Sequence, residues 1–339
     1  MTMAASLAVA ALCAALMGFA IQRGATCLVA AVDEWTRERR LRRLAAMLEA
    51  SVWVAGGLLL AQWAGLPMAM PRGFVVSGWT VAGGLLLGLG AWLNGACVFG
   101  AIARLASGEA AYAATPLGFY LGCLAVPLLF APAAPQPSVH DSPLFAAPQG
   151  LALAFVAYLA WRVGRPLAAG RWRELAARVW QPHAATAVIG ASFVVSLLAV
   201  GAWAYTDLLA DLARGHAGPV LVRVALFVAL LLGAGVGGAQ RWKRAEGTRP
   251  TWPAPRAWLR CIAGGALMGA GTLLIPGSND GLILIGVPLL WPHAALALAT
   301  MVLTIAAAQA AARWLDRRRA ARRQCSQIDH GAAAGDRAA

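Results

Sequence analysis

Apolar residues fill this chain in runs longer than the helices of a soluble core require. The runs lie near 3–22, 45–65, 75–93, 110–131, 149–163, 184–206, 219–239, 258–275 and 293–312, and each holds few charges. A bilayer core about 30 Å thick needs roughly 20 apolar residues per helix. The pattern therefore predicts an all-α polytopic membrane protein of about nine transmembrane helices, the fifth run being the shortest.

The polar residues between the runs are sorted by charge. Arg37, Arg39, Arg40, Arg42 and Arg43 follow the first run, and Arg162, Arg165, Arg171, Arg173 and Arg178 the fifth. Arg241, Lys243, Arg244 and Arg249 follow the seventh, and Arg313, Arg317, Arg318, Arg319, Arg322 and Arg323 the ninth. The loops after the second, fourth and sixth runs are poor in Lys and Arg. Cytoplasmic loops carry the excess of both residues, so nine spans with the N-terminus outside and the C-terminus cytoplasmic put every rich loop on one side. The N-terminal stretch MTMAASLAVAALCAALMGFAI lacks the basic start of a signal peptide and reads as a retained first span. From Asp316 to Ala339 the chain is charged, then Ala- and Gly-rich without apolar period, which predicts a disordered cytoplasmic tail behind a transport domain of 1–315.

Composition narrows the classes further. Of 339 residues, 60% are hydrophobic and 12% charged, half of the roughly 25% of soluble proteins. The net charge of +14 would suit a nucleic-acid binder, but its cations lie in the loops between spans, so the partner is the lipid bilayer and no nucleic acid is expected. Six cysteines fit neither a disulfide framework nor zinc spacing. Walker A, HExxH and paired-His patterns are absent, so neither an enzyme nor a cofactor is expected.

An internal repeat carries the functional signal. When AGGLLLGLGAWLNGACVFGAI (82–102) is set above AGGALMGAGTLLIPGSNDGLI (263–283), Gly83, Gly84, Gly88, Gly90, Leu93, Gly100 and Ile102 face Gly264, Gly265, Gly269, Gly271, Leu274, Gly281 and Ile283. Cys97 then faces Ser278. A weaker third copy starts at LMG, 16–18, so that Gly18, Gly88 and Gly269 each stand nine residues before Cys27, Cys97 and Ser278. Small residues four apart let transmembrane helices approach closely, and packing accounts for each pair alone. The breaks QRGATC, LNGAC and IPGSNDG are different, because polar backbone at membrane depth survives only when it is buried in protein or lines a cavity. Paired interrupted helices in two halves, about 1–131 and 184–313, point to a transporter with its site where the halves meet.

The breaks supply Gln22, Arg23, Cys27, Asn94, Cys97, Ser278, Asn279 and Asp280 as candidate pathway residues. Arg23 either attracts an anion or snorkels to the interface. Asp280, beside Asn279, either caps the half-helix after it or meets substrate or proton. Cys13, Cys123 and Cys261 read as small buried hydrophobes. A neutral thiol is a weak donor, so Cys27 and Cys97 suit a large, soft anion that must be passed on and not trapped.

GFAIQRGATC at 18–27, NGACVFG at 94–100 with its Gly-rich lead, and the LMGAGTLLIPGSNDG stretch together resemble the YeeE/YedE family of bacterial sulphur-transport proteins. The resemblance implies an inner-membrane fold of about nine spans plus short helices, with a waist crossed by thiosulfate. It also implies a relay of three cysteines hydrogen-bonded to the anion's terminal sulfur, and a small cytoplasmic sulfur-carrier protein as partner. Two relay positions fall on Cys27 and Cys97. The third falls on Ser278, which can donate a hydrogen bond but offers no sulfur chemistry. The leading expectation is a transporter or facilitator for a small sulfur-containing anion. Its rivals are a membrane-bound sulfur-handling or redox protein using Cys27 and Cys97, and a permease for an unrelated solute organised around Asn279 and Asp280.

Overall fold

The computed structural model of the chain describes residues 2–24, 26–66, 70–129, 135–146, 150–164, 168, 181–215, 220–242 and 253–335, with 241–242 and 321–335 described by backbone alone. One supersecondary unit recurs four times: a long helix, a break, a half-helix and a second long helix. The first unit is α1 (Met3–Gly24), α2 (Leu28–Glu38) and α3 (Arg42–Trp63). The second is α4 (Gly78–Asn94), α5 (Val98–Ala106) and α6 (Ala114–Leu129). After the short α7 (Gly150–Leu159) comes the third, α8 (Pro182–Val200), α9 (Tyr205–Ala213) and α10 (Val220–Trp242). The fourth is α11 (Pro255–Leu274), α12 (Asn279–Gly281) with a π-helical turn over Leu282–Gly286, and α13 (Pro292–Gly335).

The fold is all-helical, as the apolar runs predict, and among the described residues eight helices are long and apolar enough to cross a membrane. The ninth expected span, near 149–163, is the shorter apolar helix Gly150–Gly164. At 1.5 Å per residue it reaches about 22 Å of the roughly 30 Å of a hydrocarbon core, and the antiparallel run of α4 and α11 described below requires that this segment carry the chain across. Two expectations change. The run at 184–206 is interrupted, because α8 stops at Gly201, whose φ of +86° is open to glycine and closed to most side chains. The backbone from Asp316 to Gly335 is helical where its composition argues for disorder; Ala, Arg and Gln are strong helix formers, and the segment continues a helix that is already nucleated.

The long helices pack in two rows of four, α10–α1–α8–α3 and α6–α11–α4–α13. Each row holds the broken helices of two units side by side, flanked by their second helices, so every broken helix lies against the second helix of the other half of the chain. Glycine sets the spacing. A Cβ on Gly90 would stand 2.7 Å from the Gly264 carbonyl oxygen, and one on Gly264 2.7 Å from that of Gly90. Gly83 and Gly271 repeat this reciprocity one end further along, at 2.7 and 2.6 Å, so α4 and α11 run antiparallel with their backbones in contact. The half-helices fill the space between the rows: α5 against α1 and α10, α9 against α6 and α10, α2 and the π-turn against α3 and α13. Each break therefore lies inside the protein, where its backbone is shielded from lipid.

Candidate functional site

The four breaks converge. Each ends on a residue in extended conformation that caps a half-helix: Cys27 for α2, Cys97 for α5, Ala204 for α9 and Ser278 for α12. Three of the four are the positions set nine residues after a glycine. The fourth has Val195 at that distance, and no polar residue interrupts its run, so nothing in the repeat marks it.

Contacts between the caps are direct. The Leu28 amide, at the start of α2, donates to Cys97 Sγ at 3.3 Å, and the thiols of Cys27 and Cys97 are hydrogen-bond neighbours. The free amides of Val29 and Ala30 face the Cys27 sulfur. The Val98 amide, opening α5, donates to Asn279 Oδ1 at 3.4 Å, and Tyr205 of α9 donates its hydroxyl to the Val98 carbonyl at 3.0 Å. Thr206 Oγ1 lies 2.7 Å from Ser278 Oγ and 2.8 and 2.9 Å from the two oxygens of Asp280. Ser278 also bonds Asp280, whose Oδ1 accepts the Gly281 amide at 3.0 Å. Cys97, Ser278 and Asn279 are fully buried and Asp280 nearly so.

Five of the eight candidate residues therefore meet: Cys27, Cys97, Ser278, Asn279 and Asp280. The other three stand apart. Asn94 donates Nδ2 to the Ala96 carbonyl at 2.8 Å and accepts from Thr115 at 3.0 Å, so it staples its own break, which turns at Gly95 with φ +76°. Gln22 donates to Ser107 at 2.9 Å and ties α1 to the far end of α5. Arg23 is half-buried in the last turn of α1, outside these contacts. Sequence reading missed Thr206 and Tyr205, which follow the unmarked fourth break.

The cluster offers neutral donors to whatever occupies it. The amides that open α2, α5 and α12 are taken up inside the cluster by Cys97, Cys27, Asn279 and Asp280. The Asn279 Nδ2 amide is buried without a partner among the described residues, and an orphaned donor in a protein interior calls for a ligand or water. No described group of three His, Cys, Asp or Glu residues can hold a metal ion. Gly100 leaves room for the Cys27 sulfur, which would lie 2.5 Å from a Cβ there. On one side a cavity of about 370 Å³ reaches Gly277 and Gly281. Its wall carries Asp207, Asp211, Arg214, Arg223 and His293, with Asp211 paired to both arginines.

Eight apolar helices enclosing half-helices that meet nose to nose define a class: this is a multi-pass membrane protein built as a transporter. The sulphur-transport family model, YeeE/YedE, matches residues 23–307, and the chain belongs to that family. Its function is accordingly sulfur-related membrane transport. Comparison with curated proteins gives no match.

Proposed function

We propose that the protein passes a small sulfur-containing anion, thiosulfate foremost, across the bacterial inner membrane through the constriction where the four half-helices meet. The observation that supports this best is that Cys27, Cys97 and Ser278 all cap half-helices within one contact cluster. Thiols, amides and a hydroxyl donate hydrogen bonds to an anion without full counter-charge, so the ion is stabilised but released. The first half, about 1–131, contributes Cys27 and Cys97, and the second, about 184–313, contributes Ser278. Ser278 serves as the third donor, where the family pattern has a thiol. A small cytoplasmic sulfur-carrier protein is the partner that family membership suggests at the inner mouth.

Uptake of labelled thiosulfate in cells lacking other sulfur importers tests this. Cys27→Ser and Cys97→Ser should each lower uptake in part. Ser278→Ala should lower it by tenfold or more, since a hydrogen bond to a charged group is worth roughly 1.5–3 kcal/mol, and Ser278→Cys should match the wild type or exceed it modestly. Indifference to all four changes would overturn the pathway. The contact between the Cys27 and Cys97 thiols also favours a second reading, a sulfur-handling redox pair; in that case either cysteine replacement abolishes activity outright.

A further inference from the structure

Building on that transport function, we propose that Asp280 is a proton-binding site and that anion passage is coupled to proton uptake. Asp280 is 3% exposed, and no described cation pairs with it. Its partners are hydroxyls and two amides: Thr206 on both oxygens, Ser278, the Gly281 N–H and its own N–H. A carboxylate removed from water without a cation is costly, and here it sits beside the station an anion must cross.

Counting hydrogens shows what a proton would change. Ser278 and Thr206 own one hydroxyl hydrogen each. With Asp280 ionised, the carboxylate takes both, and an arriving anion meets lone pairs and a like charge. With Asp280 protonated, the carboxyl O–H donates to one of the hydroxyls, which is then free to turn its own hydrogen toward the anion. One proton thus removes a negative charge and adds a donor at the same place. Asn279 Nδ2, already unpaired, completes the neutral donor set. The third station of this chain can therefore do what a lone thiol cannot, namely accept the anion only when a proton comes with it.

A route for that proton lies on the cavity side. Gly277 and Gly281 flank the site and line the 370 Å³ cavity. Asp207, one residue beyond Thr206 on α9, lines the same cavity and faces Asp280. The other ionisable groups near Asp280 are Tyr205 of α9 and, further out, Arg72 before α4, Asp211 and Arg214 of α9, Arg223 of α10 and His293 of α13, which share the cavity wall; the Cys97 thiol, toward the opposite side, faces Tyr205. Asp207 is placed as the relay between this aqueous wall and Asp280.

The test uses the purified full chain in proteoliposomes of known orientation with a pH dye inside, the membrane potential clamped, and labelled thiosulfate added on the cavity side. Thiosulfate uptake should acidify the interior and should rise by up to about tenfold per unit fall in outer pH, the slope of one proton. Asp280→Asn is held neutral, so whatever thiosulfate flux it supports should carry neither the acidification nor the pH slope; an Asp280→Asn flux that still acidifies the interior would overturn Asp280 as the proton site. Asp207→Asn should slow uptake in the wild-type background with the proton-to-anion ratio unchanged. Thiosulfate flux without acidification, or flux driven by sodium in place of protons, would overturn the coupling and leave transport standing. Absence of any thiosulfate flux would sink the proposed function, and the coupling with it. If Asp280→Asn fails to fold, Thr206→Val, which strips both Asp280 oxygens of their hydroxyl donor, should shift the pH dependence of uptake; a pH profile unchanged in that variant would overturn Asp280 as the proton site.

Discussion

Gly100 shows how a single missing side chain shapes the constriction. Its neighbour in space is the Cys27 sulfur, 2.5 Å from where a Cβ would stand, with Cys27 Cβ at 3.0 Å. A methyl there turns the thiol away from Cys97 and presses on Cys27 Cβ, which must give by a few tenths of an ångström. Gly100→Ala should therefore retain folding while uptake falls at least as far as in Cys27→Ser. In a Cys27→Ala background the same methyl should cost almost nothing more, a coupling that a double-mutant cycle of uptake rates reads directly. Additive losses would mean that Gly100 serves helix packing and not the thiol.

At the scale of elements, the antiparallel contact of α4 and α11 carries the clearest energetic expectation. Gly90 meets Gly264 and Gly83 meets Gly271 backbone to backbone; at Gly90 and Gly264 an added methyl pushes against backbone and Cβ atoms that cannot turn aside. Gly90→Ala and Gly264→Ala should each destabilise the detergent-solubilised protein by about 1–3 kcal/mol, the usual cost of overpacking. Together they should cost less than the sum, because the first substitution already separates the helices; thermal unfolding of the three variants checks both points. The alignment of 82–102 with 263–283 sets Gly83 against Gly264 and Gly90 against Gly271, and the antiparallel contact exchanges those partners, but the four glycines were legible beforehand as repeat positions. So were the caps Cys27, Cys97 and Ser278, each at the polar end of a Gly-led run. The fourth break was not: Gly201, Ala202, Trp203 and Ala204 are as apolar as the span they interrupt, and only tertiary packing around Tyr205 and Thr206 gives the interruption its meaning. Nor does hydropathy reveal that Asn94 and Gln22 are occupied with neighbouring backbone and side chains, because polarity marks a break without saying which partner satisfies it.

For the whole molecule, the arrangement of basic loops supplies the expected orientation. A reporter fused after Arg323 should be cytoplasmic, and one inserted near Ser138 should lie outside; reversal at either site would defeat that orientation. If Ser138 lies outside, so does the 370 Å³ cavity. The Phe74 amide bonds His293 on its wall at 3.3 Å, and the neighbouring Gly73 carbonyl accepts the Ser138 amide at 2.7 Å. Substrate and proton would then approach Asp280 from the periplasm.

The interlocked rows also bear on how the chain comes into being. In the finished protein α1 is flanked by α8 and α10, both of which follow it by more than a hundred and fifty residues. Synthesis runs from the N-terminus, so α1 enters the bilayer long before either neighbour exists. Until then its small-residue face, with Ala15 and Gly18 destined to lie against Gly233 and the backbone of Leu230, has only lipid or an insertion factor beside it. The same delay holds for α4, which waits for α11. Neither half can settle first and serve as a template for the other; the waist closes last, when the fourth unit arrives and slots α11 between α4 and α6.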